Sequence, residues 1–238
     1  MYGTRARIGY TSPPLVSEIF PYEFYRIAPE GVGLALATLD VWEHTADELD
    51  GSYQRTVRAA RAMGEARIDL IVLGGVPVLS SQGAGNIGSF AKSVENETGI
   101  PVTTAPDAYK HALDQLDSKR IVVVETPHIP ERGALDHAGR EVLGRKGWGS
   151  ERMVLSTVQP SDQVAQLGRE LVGEHPEADT LWLNWPHRAT VDQIEALEQE
   201  LGINVLSATQ AIVWHALRMA GISEPIPGFG RLLREPSA

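Results

Sequence analysis

The 238-residue chain contains no cysteine. That absence removes disulfides, thiolate metal sites and any thiol nucleophile from its chemistry. Basic residues are in deficit: 21 Lys and Arg stand against 31 Asp and Glu, for a formal net charge of −10. Phosphate recognition needs a basic face, and the Arg and Lys here are scattered, so nucleic acid is not an expected partner. No apolar run approaches the roughly 20 residues that span a bilayer, and the N-terminus lacks a charged-then-apolar signal pattern. No membrane partner is therefore expected, and a cytoplasmic location is. Aromatic residues make up only 6%, but hydrophobic residues reach 42%, enough for a sizeable core.

What is present is an internal repeat. The run Asp69-Leu70-Ile71-Val72-Leu73-Gly74-Gly75-Val76-Pro77 is echoed by Asp179-Thr180-Leu181-Trp182-Leu183-Asn184-Trp185-Pro186-His187. Glu97, Gly99, Ile100, Val102 and Ala105 recur as Glu200, Gly202, Ile203, Val205 and Ala208. One inserted residue later, His111-Ala112-Leu113 recurs as His215-Ala216-Leu217. A weaker echo pairs Arg7-Ile8, leading to Ser12-Pro13-Pro14, with Arg120-Ile121, leading to Glu125-Thr126-Pro127-His128. Echoes in the same order imply a duplicated unit of about half the chain.

Short Val/Ile/Leu runs alternate with longer amphipathic stretches, the pattern of parallel strands joined by helical crossovers. Strands are expected at Arg7–Tyr10, Gly33–Thr38, Leu70–Leu73, Val102–Thr103, Arg120–Val124, Met153–Thr157, Thr180–Leu183 and Val205–Leu206. Capping patterns mark helix starts at Thr45 with Glu48, Thr104 with Asp107, Thr190 with Gln193 and Ser207 with Gln210. In doubly wound sheets ligands bind beyond the carboxyl ends of strands, which singles out loops 11–18, 74–83, 125–131 and 184–189. Two pseudo-symmetric flavodoxin-like lobes, each with a four-stranded parallel sheet, would face these loops across one cleft. The expected boundaries are 1–105 with the C-terminal helix and tail 208–238 for the first lobe, and 106–207 for the second.

The residues resemble the aspartate/glutamate racemase superfamily, in particular its arylmalonate decarboxylase and maleate isomerase branch. Ile8-Gly9-Tyr10-Thr11-Ser12-Pro13-Pro14 is similar to that branch's first strand and double-proline turn. Leu201-Gly202-Ile203-Asn204-Val205-Leu206-Ser207, followed by Trp214-His215-Ala216-Leu217-Arg218, is similar to its last strand and helix. Pro227-Gly228-Phe229-Gly230-Arg231-Leu232-Leu233 is similar to the decarboxylase tail. The resemblance implies two thiols flanking the substrate carbon, one per lobe, of which the decarboxylases keep the second. Those positions are Gly75 and Trp185 here. The glycine follows the decarboxylase pattern, and the tryptophan departs from it. The Thr/Ser donors implied after the first position are replaced by Val76 and Pro77, and the aromatic hydroxyl implied near Pro127 is missing.

With thiols gone, His187 is the nearest side chain able to exchange a proton near neutral pH, two residues beyond the second position. The bland alternative is a loop histidine that hydrogen-bonds locally. His128, with Glu125 before it, adds a second imidazole and a carboxylate. The set could serve as acid and base or hold a divalent metal, but no HxH or HxxxH spacing supports a metal. Pro13, Pro14, Gly74, Gly75 and Pro77 shape the cleft, although each alone reads as turn punctuation. Ser12, Ser80 and Ser81 are candidate carboxylate donors, and Val76, Pro127, Asn184, Trp185 and Pro186 complete the expected substrate lining. Trp185 must stack on a flat substrate or plug a dead site.

The expected function is a cofactor-independent enzyme that forms and quenches a carbanion or enediolate beside the carboxylate of a small acid, most simply a decarboxylase. The alternatives are a cis-trans isomerase, a hydrolase or lyase using His128, Glu125 and His187 with or without metal, and a non-catalytic carboxylate-binding module. The partner is a small carboxylate-bearing substrate, and homo-oligomerisation is left open.

Overall fold

Two four-stranded, all-parallel sheets form the molecule, and each has the strand order that the sequence repeat implies. The computed structural model describes residues 3–43, 45–125, 139–147 and 160–235. In the first half, β1 (Ala6–Pro14), α1 (Ile19–Ile27), β2 (Val32–Val41), α2 (Ala46–Glu65) and β3 (Leu70–Leu73) lead to α3 (Val76–Ser80). Then come α4 (Ile87–Thr98), β4 (Val102–Thr104) and α5 (Ala105–Gln115). The second half holds β5 (Arg120–Glu125), β6 (Glu141–Gly147), α6 (Ser161–Glu174), β7 (Thr180–Asn184), α7 (Val191–Leu201) and β8 (Asn204–Ser207). It closes with α8 (Ala208–Met219) and α9 (Arg231–Arg234). The sheet orders are β2-β1-β3-β4 and β6-β5-β7-β8, the flavodoxin-like arrangement in which loops at the strands' carboxyl ends share one edge.

The duplication is visible atom by atom. Asp69 accepts the Arg7 backbone N–H at 2.7 Å, and Asp179 accepts that of Arg120 at 2.9 Å. Each aspartate pins the start of a central strand to its neighbour. Helices α5 and α8, which follow the two last strands, pack against one another. Their equivalent histidines, His111 and His215, stack with ring centroids 4.8 Å apart and planes 12° from parallel. Equivalent residues can touch only near a symmetry axis, so the pseudo-twofold runs between these helices. The main core continues unbroken through both sheets, from Ile8 and Val72 to Val123, Leu183 and Val213.

Two points differ from the sequence reading. The strand beside β5 is Glu141–Gly147, whereas the expected Met153–Thr157 lies outside the described residues. The segment reads Glu-Val-Leu-Gly-Arg-Lys-Gly, a half-exposed edge strand without an apolar run to betray it. Helix α2 packs through Tyr53, Val57, Ala60 and Met63 and also turns polar residues inward. Ser52 and Thr56 are fully buried, and the Ser52 hydroxyl donates to the Leu39 carbonyl at 2.6 Å. Helix α7 begins after Thr190 as expected, but the Thr190 side chain does not cap it.

Candidate active site

The first half builds its side of the candidate site from backbone. Thr11 ends the inner part of β1, and its hydroxyl accepts the Gly74 N–H at 2.9 Å. A Cβ on Gly74 would lie 2.2 Å from the Thr11 carbonyl oxygen and 2.6 Å from the Tyr10 ring, so glycine is what lets the two strand ends close. Gly75 starts α3 with φ 82°, and a Cβ there would sit 2.4 Å from Cγ of Pro13. The loop after β1 and the loop after β3 therefore meet at Pro13 and Gly75. Pro14 pairs with Val41 of β2, and Pro77 lies in the first turn of α3 next to Val76. The hydroxyl protons of the three candidate serines are used nearby. Ser12 donates to Ser17 at 3.0 Å, Ser80 to the Pro77 carbonyl at 3.4 Å and Ser81 to the Val78 carbonyl at 2.9 Å.

The second half supplies the larger side chains. Asn184 closes β7 in register with Glu125 of β5 and is buried. Glu125 accepts from Arg145 of β6 at 2.9 Å, an ion pair that ties it to the sheet edge. Pro127 and His128 lie outside the described residues. Trp185 turns its indole toward the first half and is only 7% exposed, clustered with Leu39 and Val41 of β2 and Val78 of α3. The position expected to carry the second thiol thus packs onto the helix that Gly75 begins. His187 is 5% exposed and meets Trp185 edge-on, with centroids 6.3 Å apart and planes 89° apart.

Arg188 is the residue that sequence reasoning passed over. It is fully buried, and its Cζ lies 5.5 Å from the Trp185 ring centroid. Burial lowers its pKa to about 10, which leaves it cationic at neutral pH. A guanidinium over an indole in a dry place is a cation–π pair. The available signal was an arginine directly after His187 in a loop otherwise short of charge, and surface solvation was the ordinary explanation for it.

Two of the groups that hold this loop come from α1 and α8. The Thr209 hydroxyl, in the first turn of α8, donates to the Pro186 carbonyl at 3.3 Å. Glu23 on α1 accepts the N–H groups of Thr190 at 2.5 Å and Val191 at 2.9 Å, capping α7 across 167 residues. Glu23 is 2% exposed, and burial outweighs these hydrogen bonds to raise its pKa to about 7. Among the described residues no three His, Asp or Glu side chains come together as a metal site.

Residues 8–233 match the family model described as arylmalonate decarboxylase. The chain belongs to that family. It is 24% identical over 237 residues to the arylmalonate decarboxylase of Bordetella bronchiseptica, covering 96% of each chain. It is 30% identical over 143 residues to the maleate isomerase of Nocardia farcinica, covering 58% of this chain and 56% of that one. A crystal structure of the maleate isomerase Iso from Pseudomonas putida S16 with maleate shares the fold. Its TM-score is 0.86 at 20% identity, over 96% of this chain and 97% of that one. Within this family of enzymes, Trp185 stands where the resemblance implies the second thiol, and His187 and Arg188 follow it in the same loop. The described side chains there can move a proton through imidazole, hold a negative charge through guanidinium and exclude water through indole.

Proposed function

We propose that the protein is a cofactor-independent decarboxylase of a small malonate-type acid, with His187 as the proton donor. The observation that supports this best is the buried trio of Trp185, His187 and Arg188 at the strand end where the resemblance places the second-lobe thiol. In this reading Arg188 receives one carboxylate, and the second faces the apolar wall of Trp185, Val78 and Val41. A carboxylate forced against apolar surface loses its hydration, which favours its departure as neutral CO2. The C–C bond breaks, and its electron pair passes into the remaining carboxylate as an enediolate. The developing charge is stabilised by the guanidinium, a fixed cation in a water-poor site. Imidazolium of His187 then gives its proton to the α-carbon and regains one from water.

The test is a panel of aryl- and alkylmalonates, maleate, and hydroxy and amino acids, assayed for CO2 release and for isomerisation. CO2 release from a malonate supports the reading. Conversion of maleate without CO2 release moves the chemistry to the isomerase side of the family. The packing of Trp185 favours one other reading, in which the indole fills the cleft and the protein only binds carboxylates. Saturable malonate binding with no turnover across the panel would establish that outcome and end the enzymatic one.

A further inference from the structure

The loop that carries Trp185, His187 and Arg188 runs between two anchors, neither of which belongs to its own sheet or helix. Its first anchor is the Thr209–Pro186 hydrogen bond, and its second is Glu23 on the α7 N-terminus. The second is the only side-chain cap among the described contacts of that terminus, because Thr190 caps nothing with its own hydroxyl. We infer that Glu23 is a positioning residue whose ionisation tightens the 185–190 loop against the cleft and whose protonation slackens it. This builds on the proposed role of the loop as the reacting segment.

The physical case rests on what each charge state does. An ionised carboxylate accepts N–H bonds that are shorter and about twice as strong as those to a neutral group. It also complements the positive end of the helix dipole. Against this, the group is buried and its Oε2 has no hydrogen-bond partner, which favours the neutral acid. The two states are therefore close in free energy near neutral pH, consistent with a pKa raised to about 7 by burial. The charged groups around it are few. On α7, Asp192 opposes the ionisation of Glu23; on α1, Arg26 is already paired with Asp192 at 2.6 Å. From α8 the facing group is the Thr209 hydroxyl, whose proton goes to the Pro186 carbonyl. His187 and Arg188 lie within the loop itself.

The test follows three resonances of the intact protein by NMR between pH 5.5 and 8.5: the Thr190 and Val191 amides and the Trp185 indole N–H. The expected result is one shared midpoint near 7 for all three, lost from all three in Glu23→Gln. Amides that do not titrate in the unmodified protein overturn the inference without need of a variant. So does a midpoint that persists in Glu23→Gln, since it would then belong to His187. If the amides titrate while Trp185 stays still, Glu23 caps the helix but does not position the loop, and the inference falls. Absence of turnover on any carboxylate would sink the proposed enzyme and leave this titration unaffected.

Discussion

The Arg188 guanidinium carbon lies 5.5 Å from the centroid of the Trp185 ring, and both side chains are buried. A desolvated cation–π pair of this kind contributes about 2 kcal/mol, several times its value at a wet surface. The indole also faces Leu39, Val41 and Val78, so one residue joins the two halves and orders a cation in the same place. A cysteine could do neither.

Truncation of Trp185 should be costly for that reason. Trp185→Ala removes a large buried side chain from an interlobe cluster and should destabilise the fold by about 3–5 kcal/mol. Trp185→Phe keeps an aromatic face and most of the apolar contact, so about 1–2 kcal/mol is expected. Chemical denaturation midpoints measure both. Equal, small losses would mean that the indole is not wedged between the halves.

Thiol chemistry should be absent and hard to reinstate. With no cysteine in the chain, iodoacetamide at neutral pH should leave activity and malonate binding unchanged. Gly75→Cys should cost about 1–3 kcal/mol, because φ is 82° and a Cβ would meet Pro13 at 2.4 Å. Loss of function on alkylation would point to a nucleophile that the site as described does not contain. A fully stable Gly75→Cys would mean that the Pro13 turn yields freely.

Much of this arrangement was legible in sequence where it depends on local pattern. The echo of Asp69 by Asp179 reports two equivalent strand clasps, and the echo of His111 by His215 reports the helix pair on the pseudo-twofold. Thr45, Thr104 and Ser207 cap α2, α5 and α8 as their spacing implies. What escaped was long-range or contrary to pattern. The cap of α7 comes from Glu23, which no window around Thr190 contains. Strand β6 is a charged edge held by backbone pairing to β5 rather than by an apolar run. Arg188 reads as a surface residue until burial is known, and the Glu125–Arg145 pair depends on that same unforeseen strand.

Stability should carry two opposed pH limbs. Glu23 has a native pKa raised from 4.5 to about 7, so its contribution is fully present below about pH 4.5 and is lost as pH rises through 7. His215, desolvated beside His111, is lowered from 6.5 to about 4; its contribution is present above pH 6.5 and is lost as pH falls through 4. Each displacement is worth roughly 3 kcal/mol, and in the unmodified protein the two slopes largely offset. Urea unfolding of Glu23→Gln should therefore reveal a loss of stability from pH 7 down to 4. His215→Gln should show the reverse, a loss from pH 4.5 up to 7. Identical pH profiles for the three proteins would contradict both assignments.

The proton donor is the sharpest claim. His187 is buried two residues beyond the position that the resemblance gives to the second thiol, edge-on to Trp185 and next to Arg188 in sequence. General acid help by a positioned imidazole is typically worth about 10²- to 10⁴-fold in rate. His187→Gln keeps size and hydrogen bonding but cannot donate a proton near pH 7. It should lower CO2 release by at least about 10²-fold, with the unfolding midpoint little changed. His128→Gln should have the smaller effect if His128 only assists. Survival of turnover within a few-fold in His187→Gln, alongside its loss in His128→Gln, would reverse the two roles. Activity in both variants would leave the carbanion to be quenched by Glu125 or water.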